Sequence, residues 1–147
     1  MIAKSPFASV VTAALEESRR RGDRRLGTEH LLLGLLHDDG CARTLGLDVA
    51  AARAALDRLD REALAALGID VEGLRRQDPV PRKKAKLTLG ALTSNARAVV
   101  NEAIRGVPRR RDPAELLRVL LSVTRPDPAA DLFAALGVDR EEVRRRL

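Results

Sequence analysis

Three groups of residues carry side chains able to do chemistry. Glu29 and His30 adjoin a leucine block, His37 precedes Asp38, Asp39 and Cys41, and Arg82, Lys83, Lys84 and Lys86 form a basic run. Histidines invite a metal ion, a lone thiol invites nucleophilic catalysis, and a basic run invites phosphate or an acidic partner. None of these is completed by its surroundings. The chain has two histidines, and no carboxylate–histidine spacing recurs around them, so no metal centre is expected and His30 reads as a hydrogen-bonding residue within its own helical unit. Cys41 has no histidine base in an evident arrangement and reads as a small buried apolar residue. As the sole cysteine it excludes an intramolecular disulfide and a cysteine-rich zinc site. His37, Asp38 and Asp39 read as a solvated loop. The basic run reads first as a soluble linker, with docking of an acidic partner or phosphate as the alternative. No glycine-rich phosphate loop, paired catalytic carboxylates or aromatic stacking platform accompanies it, so neither an enzyme nor a cofactor is expected.

Composition indicates what must position these residues. Of 147 residues, 45% are hydrophobic and 33% charged, yet the only aromatics are Phe7 and Phe133. A core built from Ala and Leu favours helix over a β sandwich or barrel, so the fold is expected to be all-α. The formal charge is +6, carried mostly by arginine. The arginine clusters at 19–21, 75–76, 109–111 and 144–146 fall near predicted helix C-termini, where cations complement the helix dipole. No apolar run approaches the roughly 18 residues of a membrane span, and MIAKSPFASVV lacks the core of a signal peptide. A cytoplasmic protein is the expectation.

Caps and stops divide the chain. Ser5-Pro6 opens a helix over about 6–21 that ends at Gly22, with Val10, Val11, Ala14 and Leu15 on its apolar face. Thr28 is placed to cap EHLLLGLLH, which is apolar on nearly every side and is expected in the middle of its unit. Gly40 and Gly46 break the next piece. Asp48 caps 49–59, Asp60 reads as a second cap opening REALAAL, Gly68 as a left-handed stop, and Asp70 as the cap of a short helix through Arg76. DPVPRKKAKLTL, at 78–89, is the clearest linker. Thr93 or Ser94 then starts a helix with Ala96, Val99, Val100, Ala103 and Ile104 on one face, ending by Gly106. Asp112-Pro113 and Asp127-Pro128 open two more, the second stopped by Gly137, and Asp139 caps the last.

The two sides of the linker resemble each other. At an offset of 85 residues Glu17 falls on Glu102, Leu31-Leu32 on Leu116-Leu117 and Leu35-Leu36 on Leu120-Leu121. A tandem repeat is therefore expected: 1–77 as a first unit with an extra helical segment at 57–77, 78–90 as a basic linker, and 91–147 as a second, degenerate unit in one composite domain.

GTEHLLLGLL, at 27–36, preceded by Glu16-Glu17-Ser18-Arg19-Arg20, resembles the Clp repeat, the duplicated N-terminal domain of Clp-type AAA+ unfoldases. The resemblance spans nearly the whole chain, close in the first copy and loose in the second, where Leu92 to Val99 stands for the family's first helix and 112–122 takes the GTEHLLLGLL slot. No GxxxxGK[ST] motif is present, so nucleotide-driven unfolding is not expected of this chain. The resemblance implies a stand-alone docking module: a substrate receptor, adaptor or decoy in Clp-dependent proteolysis, monomeric, with Clp components, substrates or adaptors as partners. It also implies ligands such as phosphoarginine-tagged proteins or cyclic peptides. In the family a carboxylate of this motif engages the guanidinium of phosphoarginine, a pairing favoured by bidentate geometry. Glu29 matches it; in the second copy Ala114 stands there and Glu115 takes the histidine slot, so at most one such site is implied. Thr28, Glu29 and Arg97 are the candidate ligand-binding residues, and Arg82, Lys83, Lys84 and Lys86 the candidate partner-binding ones. Glu29 also has a purely structural reading, a carboxylate at a helix N-terminus. A different class stays open, a basic all-helical nucleic-acid-binding regulator with 112–122 as recognition helix, although Ala114, Leu116 and Leu117 are poor base readers.

Overall fold

A helix starts where something relieves the unpaired amides of its first turn, and most of the starts in this chain are relieved locally. The computed structural model describes residues 5–68, 91–106 and 112–147. They form helices α1 (Pro6–Arg21), α2 (Thr28–Leu35), α3 (Asp39–Leu45), α4 (Val49–Ala66), α5 (Ser94–Gly106), α6 (Pro113–Leu120), α7 (Pro128–Ala135) and α8 (Arg140–Arg146). Among the described residues there is no strand beyond one isolated parallel bridge between Leu26 and Leu92, and the fold is all-α as expected. The expected helix after Asp70, the 78–90 linker with Arg82, Lys83, Lys84 and Lys86, and the arginines at 75–76 and 109–111 lie outside the described residues.

Ser5, Asp48, Thr93, Asp112 and Asp139 each accept a hydrogen bond from an amide two or three residues on, at 3.1, 2.7, 3.1, 2.9 and 3.2 Å. Gly22 and Gly46 end α1 and α3 with φ of 74° and 68°, a conformation that an L side chain resists.

Three local expectations are corrected, the first two because a tertiary partner claims the side chain read as a cap and the third because a local cap carries the helix across a glycine. Thr28 is not the cap of α2; Gly27 is, and the Thr28 hydroxyl reaches Asp127 instead. Asp60 starts no new helix, because α4 runs unbroken to Ala66 and both Asp57 and Asp60 turn to Arg21 on α1. Gly40 does not break the chain but lies in the first turn of α3, which Asp38 caps through the Cys41 amide at 3.0 Å. His37 and Asp39 of the run read as a solvated loop are exposed, but His37 Nε2 lies 2.9 Å from Glu17 Oε1 and Asp38 caps α3, so the run is held at two of its residues.

Helix α2 is the middle of the fold. Leu31, Leu32, Leu33 and Leu35 are fully buried, each worth about 1.5–3 kcal/mol of apolar burial. Helices α1, α4, α5, α6 and α7 all pack against it. At Gly34 the approach to α1 is so close that a Cβ would lie 2.5 Å from the Val10 carbonyl oxygen. Helix α8 fastens the other end: Arg140 lies 5.3 Å over the Phe133 ring and Arg144 donates to the Leu121 carbonyl at 2.8 Å, satisfying an orphan acceptor beyond α6.

Candidate functional site

The C-terminus of α1, the turn at 22–27 and the N-termini of α2 and α7 meet beside α4 around a cleft of about 340 Å³. Arg21 and His30 line its inner side, Arg25 and Glu29 its rim, and Leu56 and Asp60 of α4 face Pro128 of α7. The basis of this geometry is Arg21, whose side chain is 12% exposed. Its Nε donates to Asp23 at 3.3 Å and its two terminal nitrogens donate to Asp57, at 2.7 Å, and to Asp60. Burial opposes the Arg21 charge, but Asp57, Asp60 and Asp23 outweigh it and keep the guanidinium protonated.

His30 continues this network under the start of α2. Gly27 has no side chain with which to cap, so half of a capping box is made in reverse: the Gly27 N–H donates to His30 Nδ1 at 2.8 Å. That bond leaves the proton on Nε2, which donates to Asp23 at 2.7 Å. The hydrogen bond from His30 holds the Asp23 carboxyl below its ordinary value, with the Arg21 charge adding to it and burial working against it. Both ring nitrogens are committed, so His30 makes its bonds within the fold and is not placed to transfer protons in the cleft.

Thr28 is 1% exposed. Its hydroxyl donates to Asp127 Oδ1 at 2.6 Å and accepts the Ala129 N–H at 3.2 Å, while Asn95 of α5 donates to the other Asp127 oxygen at 3.2 Å. This candidate therefore braces α2 against α7 and α5 and does not line the cleft. Arg97 is exposed on α5 and is not among the cleft-lining residues either. Of the three candidate ligand-binding residues only Glu29 is in the cleft. Its carboxylate folds back over Gly27 towards its own helix terminus, which agrees with its structural reading, while its side chain still forms part of the cleft wall. Oε2 is shut off from solvent and has no hydrogen-bond partner. Oε1 lies 3.4 Å from His30 Nδ1, but that nitrogen already accepts the Gly27 amide and has no proton to share.

Sequence reasoning missed Arg21, Asp23, Arg25, Asp60 and Pro128. One signal was present: Asp57 and Asp60, three apart on α4, share a helix face and so mark a place for a cation.

A second polar cluster lies away from the cleft. Glu17, 3% exposed on α1, receives both oxygens' bonds from Arg53 Nε at 3.1 Å, a further bond from Arg53 Nη2, and the His37 contact. Burial pushes the Glu17 carboxyl up, yet the hydrogen bonds and charges of Arg53 and His37 prevail and hold it below its ordinary value. Cys41 is buried, as expected, and burial beside Asp38 pushes its thiol up to about 12. Among the described residues no group of three or more His, Cys, Asp or Glu side chains could hold a metal ion, and no helix is long and apolar enough to cross a membrane.

The chain matches no protein-family model, and no curated protein matches it.

Proposed function

We propose that this protein is a non-enzymatic peptide-binding module of the Clp-repeat type, two degenerate copies of one helical unit, which takes a guanidinium-bearing ligand such as phosphoarginine in the cleft beside Glu29. In the cytoplasm it would serve Clp-dependent proteolysis as a receptor, adaptor or decoy. One observation carries this reading. Glu29, the residue that the GTEHLLLGLL resemblance singles out, is the cleft carboxylate left with an unpaired oxygen, in a wall that also offers Arg25 to an anion. A guanidinium supplies the donors that this carboxylate lacks. The nucleic-acid reading gains nothing from α6, which buries Leu116, Leu117 and Leu120 in the core and begins with Glu115 paired to Arg118.

Titration calorimetry with free phosphoarginine tests the proposal. Glu29→Ala is expected to weaken binding roughly tenfold or more, the loss of a charge-assisted hydrogen bond. Equal binding by both proteins removes Glu29 from the site. A pull-down that recovers neither Clp subunits nor Clp substrates or adaptors counts against the partner assignment.

A further inference from the structure

The Glu29 carboxylate occupies a place that only a glycine leaves open. Gly27 has extended backbone, φ −99° and ψ −180°, which any residue adopts, so the backbone does not require glycine there. What the missing side chain provides is room: a Cβ would lie 2.7 Å from Glu29 Oε1 and closer still to Oε2. In that place the carboxylate is badly served. Oε2 is shut off from solvent and has no partner, and His30 Nδ1, 3.4 Å from Oε1, is an acceptor already in use. A carboxylate oxygen shut off from solvent without a donor is unfavourable, while the positive end of α2 favours the charge.

We propose that Gly27 is a parking place for Glu29: with the cleft empty the carboxylate rests over Gly27, and a guanidinium ligand draws it out by supplying the donors it lacks there. Gly27 is then a positioning residue, and it sets how much of the binding-competent rotamer exists before the ligand arrives. This inference rests on the reading of the cleft given above. It differs from that reading in what it demands of Gly27. The three atoms nearest to such a Cβ all belong to the flexible tip of Glu29, so Gly27→Ala is expected to displace the carboxylate before the backbone.

The experiment compares wild type, Gly27→Ala and Glu29→Gln, with phosphoarginine as the probe. Gly27→Ala is expected to bind about three- to tenfold more tightly, the factor recovered when a competent rotamer populated at roughly 10–30% becomes the main one. In the free wild-type protein, nuclear Overhauser contacts join the Glu29 γ-protons to the Gly27 α-protons, and these fade at saturating probe. Tighter binding by Gly27→Ala that vanishes in the Gly27→Ala, Glu29→Gln double variant supports the proposal. Glu29-dependent binding in wild type that Gly27→Ala leaves equal or weaker, or contacts that persist at saturation, overturns the parking inference alone. Binding that does not depend on Glu29, or none at all, overturns the reading of the cleft and the inference together.

Discussion

Helices α2 and α6 are both eight residues long, and each lies against the helix before it, yet they begin in opposite ways. Helix α6 is self-sufficient: Asp112 accepts the Ala114 amide and Pro113 fills the first position, so three consecutive residues make the start. Helix α2 begins on Gly27, which has no side chain; the Gly27 N–H depends on His30, the Thr28 hydroxyl serves α7, and one Glu29 oxygen is left without a partner. A start that is not finished locally has to be finished by distant groups or by a ligand. That is why the cleft forms at α2, and why the matching residues Pro113, Ala114 and Glu115 carry no such chemistry.

The contrast extends along both helices and can be broken by mutation. Gly34, in contact with the backbone of α1, stands opposite Val119 at the 85-residue offset, and Val119 is half-buried. Gly34→Ala should cost about 3 kcal/mol, because helix backbones must part to admit the methyl, whereas Val119→Ala should cost about 1 kcal/mol. Urea unfolding of both variants decides this, and equal costs would erase the difference in packing.

A smaller effect is expected at Glu17 and its counterpart Glu102, which is exposed. Arg53→Met strands a buried carboxylate with His37 as its remaining partner and should cost about 2–3 kcal/mol, against less than about 0.5 for Glu102→Ala. The acid limb sharpens the test. Glu17 and Asp23 are both held below their ordinary values, so the stability they contribute is complete above the ordinary carboxylate range near pH 4 and is lost as pH falls through the lowered values. Arg53→Met should flatten that loss, and an unchanged acid profile would show that the Arg53–Glu17 pair does not set it.

The smallest effect concerns the two helix starts themselves. Thr28→Val and Asp112→Ala should each cost about 1 kcal/mol, but in different places. Hydrogen exchange should quicken at Ala129, at the far start of α7, in the first variant, and only within the first turn of α6 in the second. Exchange confined to α2 after Thr28→Val would contradict the brace.

The same contrast explains what could be read from the sequence. Ser5, Asp48, Asp112 and Asp139 are legible as caps because donor and acceptor lie within three residues. Burial of α2 is legible from apolar pattern, and that of Cys41 from the lack of a histidine base near it. Thr28 and Asp60 are misread, since their decisive partners lie 99 and 39 residues away, and the Glu17 partner of the exposed His37, 20 residues away, is not legible either. The motif singles out Glu29, which lies in the cleft wall, but of its neighbours only Asp60, by its spacing from Asp57, leaves a short-range trace; Arg21 and Pro128 reach the cleft by the packing of α1 and α7.

Helix α2, walled by five others, also determines how the chain can be divided. A cut between α4 and α5 would strip α2 of α5, α6 and α7 and open leucines on that side to water. The halves are therefore interdependent, like an axle with its bearings, and neither is a transferable unit. The outer part of α4 has no such duty: Ala63 and Ala65, and Leu67 just beyond the helix, are exposed, so insertions or fusions there leave the bearings intact, while any face of α2 that is altered is a face in use.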